Sequence, residues 1–102
     1  MPLQYRQGDL LLIQQDTRPA VNLVQRPGTV IVAGEATGHA HRLTGGTILE
    51  APDGTLYLDL PYLAQVVHEE HDPITLERGL WLVVRQREYS PETTIRTRMV
   101  LD

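Results

Sequence analysis

Turn signals interrupt this chain roughly every eight to twelve residues, a spacing that admits short strands and almost no helix. Gly8-Asp9, Pro27-Gly28, Gly45-Gly46, Asp53-Gly54 and Ser90-Pro91 are the clearest of them. Between them stand short runs rich in Leu, Val and Ile: DLLLIQ (9–14), AVNLVQ (20–25), TVIVAG (29–34), HRLTGG (41–46), TILEA (47–51) and TLYLDL (55–60). The last alternates cleanly, which places Leu56, Leu58 and Leu60 on one face of a strand. HRLTGG and TILEA flank Gly45-Gly46 and read as a hairpin. LWLVVRQREY (80–89) is the longest strand expected, and TTIRTRMVL (93–101) is its expected partner. The fold class these runs predict is all-β, a small β-barrel or β-sandwich with little or no helix, with residues 1–102 forming a single β domain.

One segment admits two readings. In PYLAQVVHEEH (61–71), Leu63, Val66 and Val67 fit a helix face, with Pro61 as a first helical residue. As a strand, Val66-Val67-His68 is a buried run ending at Pro73, and this is the reading adopted. The core has to be aliphatic, because the chain has no Phe and one Trp, Trp81. A net charge of −4 gives no basic surface for nucleic acid, so no nucleic-acid partner is expected. The longest apolar run, LLLI at 10–13, is too short to cross a membrane. MPLQYRQGDL has no basic stretch followed by a long apolar one, so no signal peptide is expected, and the location expected is cytoplasmic.

The absence of Cys confines any metal to His and carboxylate ligands. The four histidines fall in two tight clusters, GEATGHAH (34–41) and HEEH (68–71). His39 and His41 at i and i+2 of a strand share a face, about 7 Å apart along the backbone, close enough to grip one ion. Gly34, Gly38, Gly45 and Gly46 flank them and keep bulk away. If HEEH is extended, His68 shares a face with Glu70 and His71 shares the other face with Glu69. If the chain turns there, both histidines can join His39 and His41. Three imidazoles and an open position make a catalytic zinc arrangement, in which bound water becomes a nucleophile near neutral pH. Two His and a carboxylate suit iron or manganese, and Glu35, Glu50, Glu69 or Glu70 can supply the carboxylate. Solvated turns with incidental histidines are the plain alternative for both clusters.

Strands, glycines and an HxH with a distant later His resemble the cupin pattern, a small β-barrel holding a metal. The match runs through Gly34, His39 and His41. It departs where cupins carry a Glu soon after HxH, since Thr44-Gly45-Gly46 stand there, and where a Pro-x-Gly turn should precede the later His. The layout GEATGHAH…HEEH…RQREY also resembles that of small bacterial and phage proteins.

The function expected is a metal-dependent hydrolase or lyase acting on a small-molecule substrate. His39, His41, His68 and His71 are the candidate ligands, Glu70 or Glu69 the candidate proton carrier. Zinc is the first expectation, with Fe, Mn or Ni as others. The competing expectations are a non-catalytic structural, assembly or partner-binding module, and a cupin-like sensor or isomerase binding a small carboxylate or sugar through Arg42 or the C-terminal arginines. Arg85 with Arg87, and Arg96 with Arg98, share strand faces near Glu88 and Glu92, which reads either as a solvated face of Arg–Glu pairs or as an anion site. A thin core and Tyr89 among these arginines make a homo-oligomer the expected state, with an ion shared between subunits as one form of it.

Overall fold

A computed structural model describes residues 3–34 and 37–86. Among them are ten strands and no helix: β1 (Gln4–Gln7), β2 (Leu10–Gln15), β3 (Val24–Arg26), β4 (Val30–Ala33), β5 (Ala40–Leu43), β6 (Thr47–Glu50), β7 (Leu56–Leu60), β8 (Ala64–His68), β9 (His71–Leu76) and β10 (Gly79–Arg85). They form two open antiparallel sheets. One runs β1-β2-β10-β7-β6-β3 and the other β4-β5-β8-β9. The all-β class read from the turn spacing is the class observed. No helix here is long and apolar enough to cross a membrane.

Alternation explains how the sheets meet. Leu10 and Leu12 on β2, Leu58 and Leu60 on β7, and Trp81 and Val83 on β10 point inward from the larger sheet. Ile31, Leu43, Ala64, Val66 and Leu76 answer them from the smaller one, and all belong to one buried cluster. Leu56 packs against the cluster edge, so the predicted face Leu56–Leu58–Leu60 is the inner face of β7. Trp81 is fully buried, and its indole N–H donates to the Glu77 carbonyl at 2.9 Å. That bond satisfies the one polar atom in the largest core side chain.

Several pairings differ from the sequence reading. Gly45-Gly46 is not a hairpin. β5 lies in the smaller sheet and β6 in the larger, so Thr44–Gly46 carries the chain between sheets. Gly46 has a φ of 90°, and a Cβ there would meet Leu60 Cδ2 at 2.6 Å and the Asp59 carbonyl at 2.7 Å. The crossing therefore requires glycine for both conformation and space. β10 has β2 on one side and β7 on the other, so it is not free to pair with 93–101 along those residues. The segment 93–101 itself lies outside the described residues, as do Glu35, Arg87, Glu88, Tyr89, Glu92, Arg96 and Arg98.

The helix reading of 61–71 fails because Leu63 is exposed, while Ala64 and Val66 are buried with strand periodicity. The strand does not end at Pro73 either. Residues Glu69 and Glu70 make a turn, and β9 returns along β8 through Pro73 to Leu76. Pro73 is tolerated because β9 is an edge strand and carries an irregularity there.

Candidate metal centre

Each histidine reaches one end of the sandwich for a local reason. His41 shares the inward face of β5 with Leu43, and His39, just ahead of the strand, lines the same cleft as His41. On β8, His68 follows the inward positions Ala64 and Val66. The β8–β9 register then slips: Val66 faces Ile74, but His68 faces His71. Two steps along β8 are matched by three along β9, which is a β-bulge on β9. Strict alternation would send His71 outward relative to Ile74 and Leu76. The extra residue turns it to the side of His68.

The four rings consequently cluster. Ring centroids lie 4.5 Å apart for His41–His68, 4.7 Å for His68–His71, 5.7 Å for His39–His68 and 6.3 Å for His41–His71. Two imidazoles on one tetrahedral zinc have centroids roughly 5 Å apart, a spacing within about 1 Å of the three shorter pairs and exceeded by His41–His71. One ligand atom each from His39, His68 and Glu69 lie within 4.8 Å of one another. Glu70 Oε2 is 3.7 Å from His39 Nδ1, on a side chain 68% exposed at the mouth of the site. Glu50 is not near them. It lies exposed on β6 and lines a separate cavity with Val24, Arg26 and Pro52, so its candidacy as the carboxylate is withdrawn.

Glu69 is tightly held. Its Oε1 accepts from the Ala40 amide at 2.9 Å and its Oε2 from Arg42 Nη1 at 2.8 Å. These two donors, Arg42 foremost, lower its pKa to about 2. A carboxylate so stabilised is a permanent anion and a poor base. The Glu70 amide donates to His68 Nδ1 at 3.0 Å, so the neutral His68 ring carries its proton on Nε2.

The larger sheet contributes Gln7 and Asp9, which carry no site signal in the sequence, and Arg85, expected there as part of an Arg–Glu face or an anion site. Gln7 ends β1 on the inward face it shares with Tyr5, and is 3% exposed. It bonds the carbonyls of Val66 and Asp72 and the His41 ring. Asp9 sits in the β1–β2 turn. Its Oδ2 accepts from Arg85 Nε at 3.1 Å, and its Oδ1 lies 3.4 Å from His41 Nε2. Arg85 reaches the site because it has the same strand parity as Trp81 and Val83. Burial is the largest single influence on Asp9 and opposes its ionisation. The Arg85 hydrogen bond and charge, with smaller contributions from its own backbone and His41, outweigh it and hold the carboxyl below its usual range. The His41 pKa is lowered, first by burial and then by His68, against the pull of Asp9. In the sequence Gly8-Asp9 reads only as a turn pair. A turn carrying a carboxylate was the one signal available for Asp9, and nothing local marks Gln7.

Asp9, Val32, Gly34, Thr37, His39, His41, His68, Glu70 and Arg85 enclose a cleft of about 190 Å³. Gly8, one residue before Asp9, packs closely against His71. A Cβ at this position, φ 61°, would come within 2.7 Å of His71 Nε2.

A family model described as a domain of unknown function, DUF8820, matches residues 6–86. The chain belongs to this family. The DUF8820 span contains every residue of the cleft, from Asp9 to Arg85. Comparison with curated proteins and with solved structures gives no match.

Proposed function

We propose that this chain binds a divalent metal ion, zinc first, on His39, His68 and Glu69, and uses metal-bound water to hydrolyse or hydrate a small substrate. The observation that carries the reading is the convergence of three ligand atoms within 4.8 Å, drawn from two segments about thirty residues apart. Glu69 suits the ligand role better than the proton-carrying one, because Arg42 and the Ala40 amide keep it ionised. Glu70, exposed beside His39, is then the proton carrier. Binding an ion through either ring nitrogen costs His68 the Glu70 amide bond, since Nδ1 then holds the ion or the ring proton. That costs about 1 kcal/mol, small against roughly 10 kcal/mol or more for a filled zinc site. Two imidazoles and a carboxylate also suit iron or manganese. A cleft of about 190 Å³ fits a small substrate only.

Protein purified without a histidine tag, incubated with zinc and desalted, is expected to retain at least one equivalent by elemental analysis. Less than a tenth of an equivalent would remove the proposal. Glu69→Gln is expected to weaken zinc binding at least tenfold, and Glu70→Gln to leave zinc bound while slowing ester hydrolysis. A second reading, a metal clamp without catalysis, is favoured by the position of the cluster where β5 and β8 of one sheet face Gln7 and Asp9 of the other. Zinc that raises the melting temperature without any turnover supports that reading. A cupin-like sensor of small carboxylates through Arg42 requires the anion to displace Glu69, which already occupies that guanidinium.

A further inference from the structure

His41 and Asp9 are not part of the His39–His68–Glu69 triad, and their geometry has its own requirement. The Gln7 side-chain amide has one workable orientation. It lies 3.0 Å from the Val66 carbonyl and 2.9 Å from the Asp72 carbonyl, and carbonyls only accept, so Nε2 must face both. Oε1 is then the atom 2.8 Å from His41 Nδ1. Because Oε1 also only accepts, Nδ1 must carry the ring proton. The neutral ring is left with its lone pair on Nε2. That nitrogen belongs to a residue 5% exposed and lies 3.4 Å from Asp9 Oδ1. Arg85 Nε holds the other oxygen of Asp9 at 3.1 Å and fixes the carboxylate in place. Two acceptors therefore face each other at the cleft, His41 buried and Asp9 36% exposed, a conflict that a metal cation or a proton between them removes.

We infer that His41 Nε2 and Asp9 Oδ1 form a second divalent-cation position beside the triad. A ligating histidine whose other ring nitrogen donates to a fixed acceptor is the usual way such a ring is oriented, and Gln7 supplies that acceptor. One imidazole and one carboxylate, completed by water, suit zinc or manganese. The position rests on Gln7, His41, Asp9 and Arg85, and stands whether or not the triad holds an ion. With both filled, neighbouring ions would be held by His41 and His68, whose rings are 4.5 Å apart. Paired ions favour substrates that bridge them through two oxygens, such as phosphate esters or carboxylates.

The rival occupant is a proton, making His41 an imidazolium paired with Asp9. Native mass spectrometry of untagged protein loaded with zinc, then of Asp9→Asn and Glu69→Gln, separates the cases, with circular dichroism confirming each fold. ¹⁵N NMR of the His41 ring across the zinc titration gives a second readout. Two ions in the parent chain, one in each variant, and a His41 Nε2 resonance that shifts on zinc addition are expected. One ion lost in Asp9→Asn and kept in Glu69→Gln upholds this position and overturns the triad. One ion lost in Glu69→Gln and kept in Asp9→Asn overturns this position and leaves the triad. One ion lost in both variants means a single shared site and overturns the second position. A His41 ring that stays doubly protonated in excess zinc, or no bound ion at all, also overturns it.

Discussion

Single residues set the geometry of the histidine cluster. Gly8 has φ 61°, and a side chain there would press on His71 Nε2, whereas Gly28 has φ 91° and open space around its Cβ position. Gly28→Ala is expected to cost about 1 kcal/mol, the conformational penalty alone. Gly8→Ala should cost more than Gly28→Ala and should shift the His71 ring resonances. Urea denaturation and histidine NMR of the two variants check this, and equal costs with an unmoved His71 would mean that the close approach has no energetic weight. Gln7 is the more sensitive position. Replacing it with Leu strands two carbonyls and the His41 Nδ1–H in a buried place. With about 1–3 kcal/mol per unsatisfied group, and water able to reach some of them, a loss of at least 2 kcal/mol is expected in the urea midpoint analysis. A loss under 0.5 kcal/mol would show that the three bonds are readily replaced.

At the scale of elements, turns and register do the positioning. The β8–β9 hairpin turns on Glu69-Glu70 and carries a bulge, and together these bring His68 and His71 face to face. The sequence reading held both an extended and a turned version of HEEH, and strand alternation alone could not choose between them. The β6–β7 hairpin is simpler. The Thr55 amide donates to Asp53 Oδ1 at 3.0 Å, and this bond, with the Thr55 hydroxyl, holds the Asp53 pKa below its ordinary 3.8. A depressed carboxyl pKa means that the folded state favours the anion. The stability it contributes is therefore complete above the ordinary value and is lost as pH falls through the folded one. An NMR titration should show the Asp53 carboxyl and the Thr55 amide titrating together, with a midpoint below 3.8. A midpoint at or above that value would deny the turn its charge-assisted bond.

At the scale of the whole molecule, one aliphatic core with Trp81 inside it joins the two sheets. Trp81 contacts Tyr5 at 5.8 Å between ring centroids and is fully buried. Trp81→Ala is expected to cost about 3–5 kcal/mol, a large part of the stability of a chain this size, and to lower the melting temperature by well over 10 °C. A drop of only a few degrees would mean that the core refills the space. The strand class and most strand positions were legible in the chain because alternation and turn chemistry act over a few neighbouring residues. Leu58 and Leu60 on the inner face of β7 are read directly from a period of two. Sheet membership was not legible. Gly45-Gly46 looks like a hairpin locally, and only the packing of β5 against β8 and of β6 against β7 makes it a crossing. The meeting of Gln7, Asp9 and Arg85 with the histidine cluster was hidden for the same reason. Their partners lie far along the chain, at Val66, His41 and each other, and no local pattern encodes a contact that forms only when two sheets close on one another. Local periodicity placed His41, His68 and His71 on strands, with His39 just ahead of β5. Long-range register, one bulge and the closing of the sandwich decided that they meet.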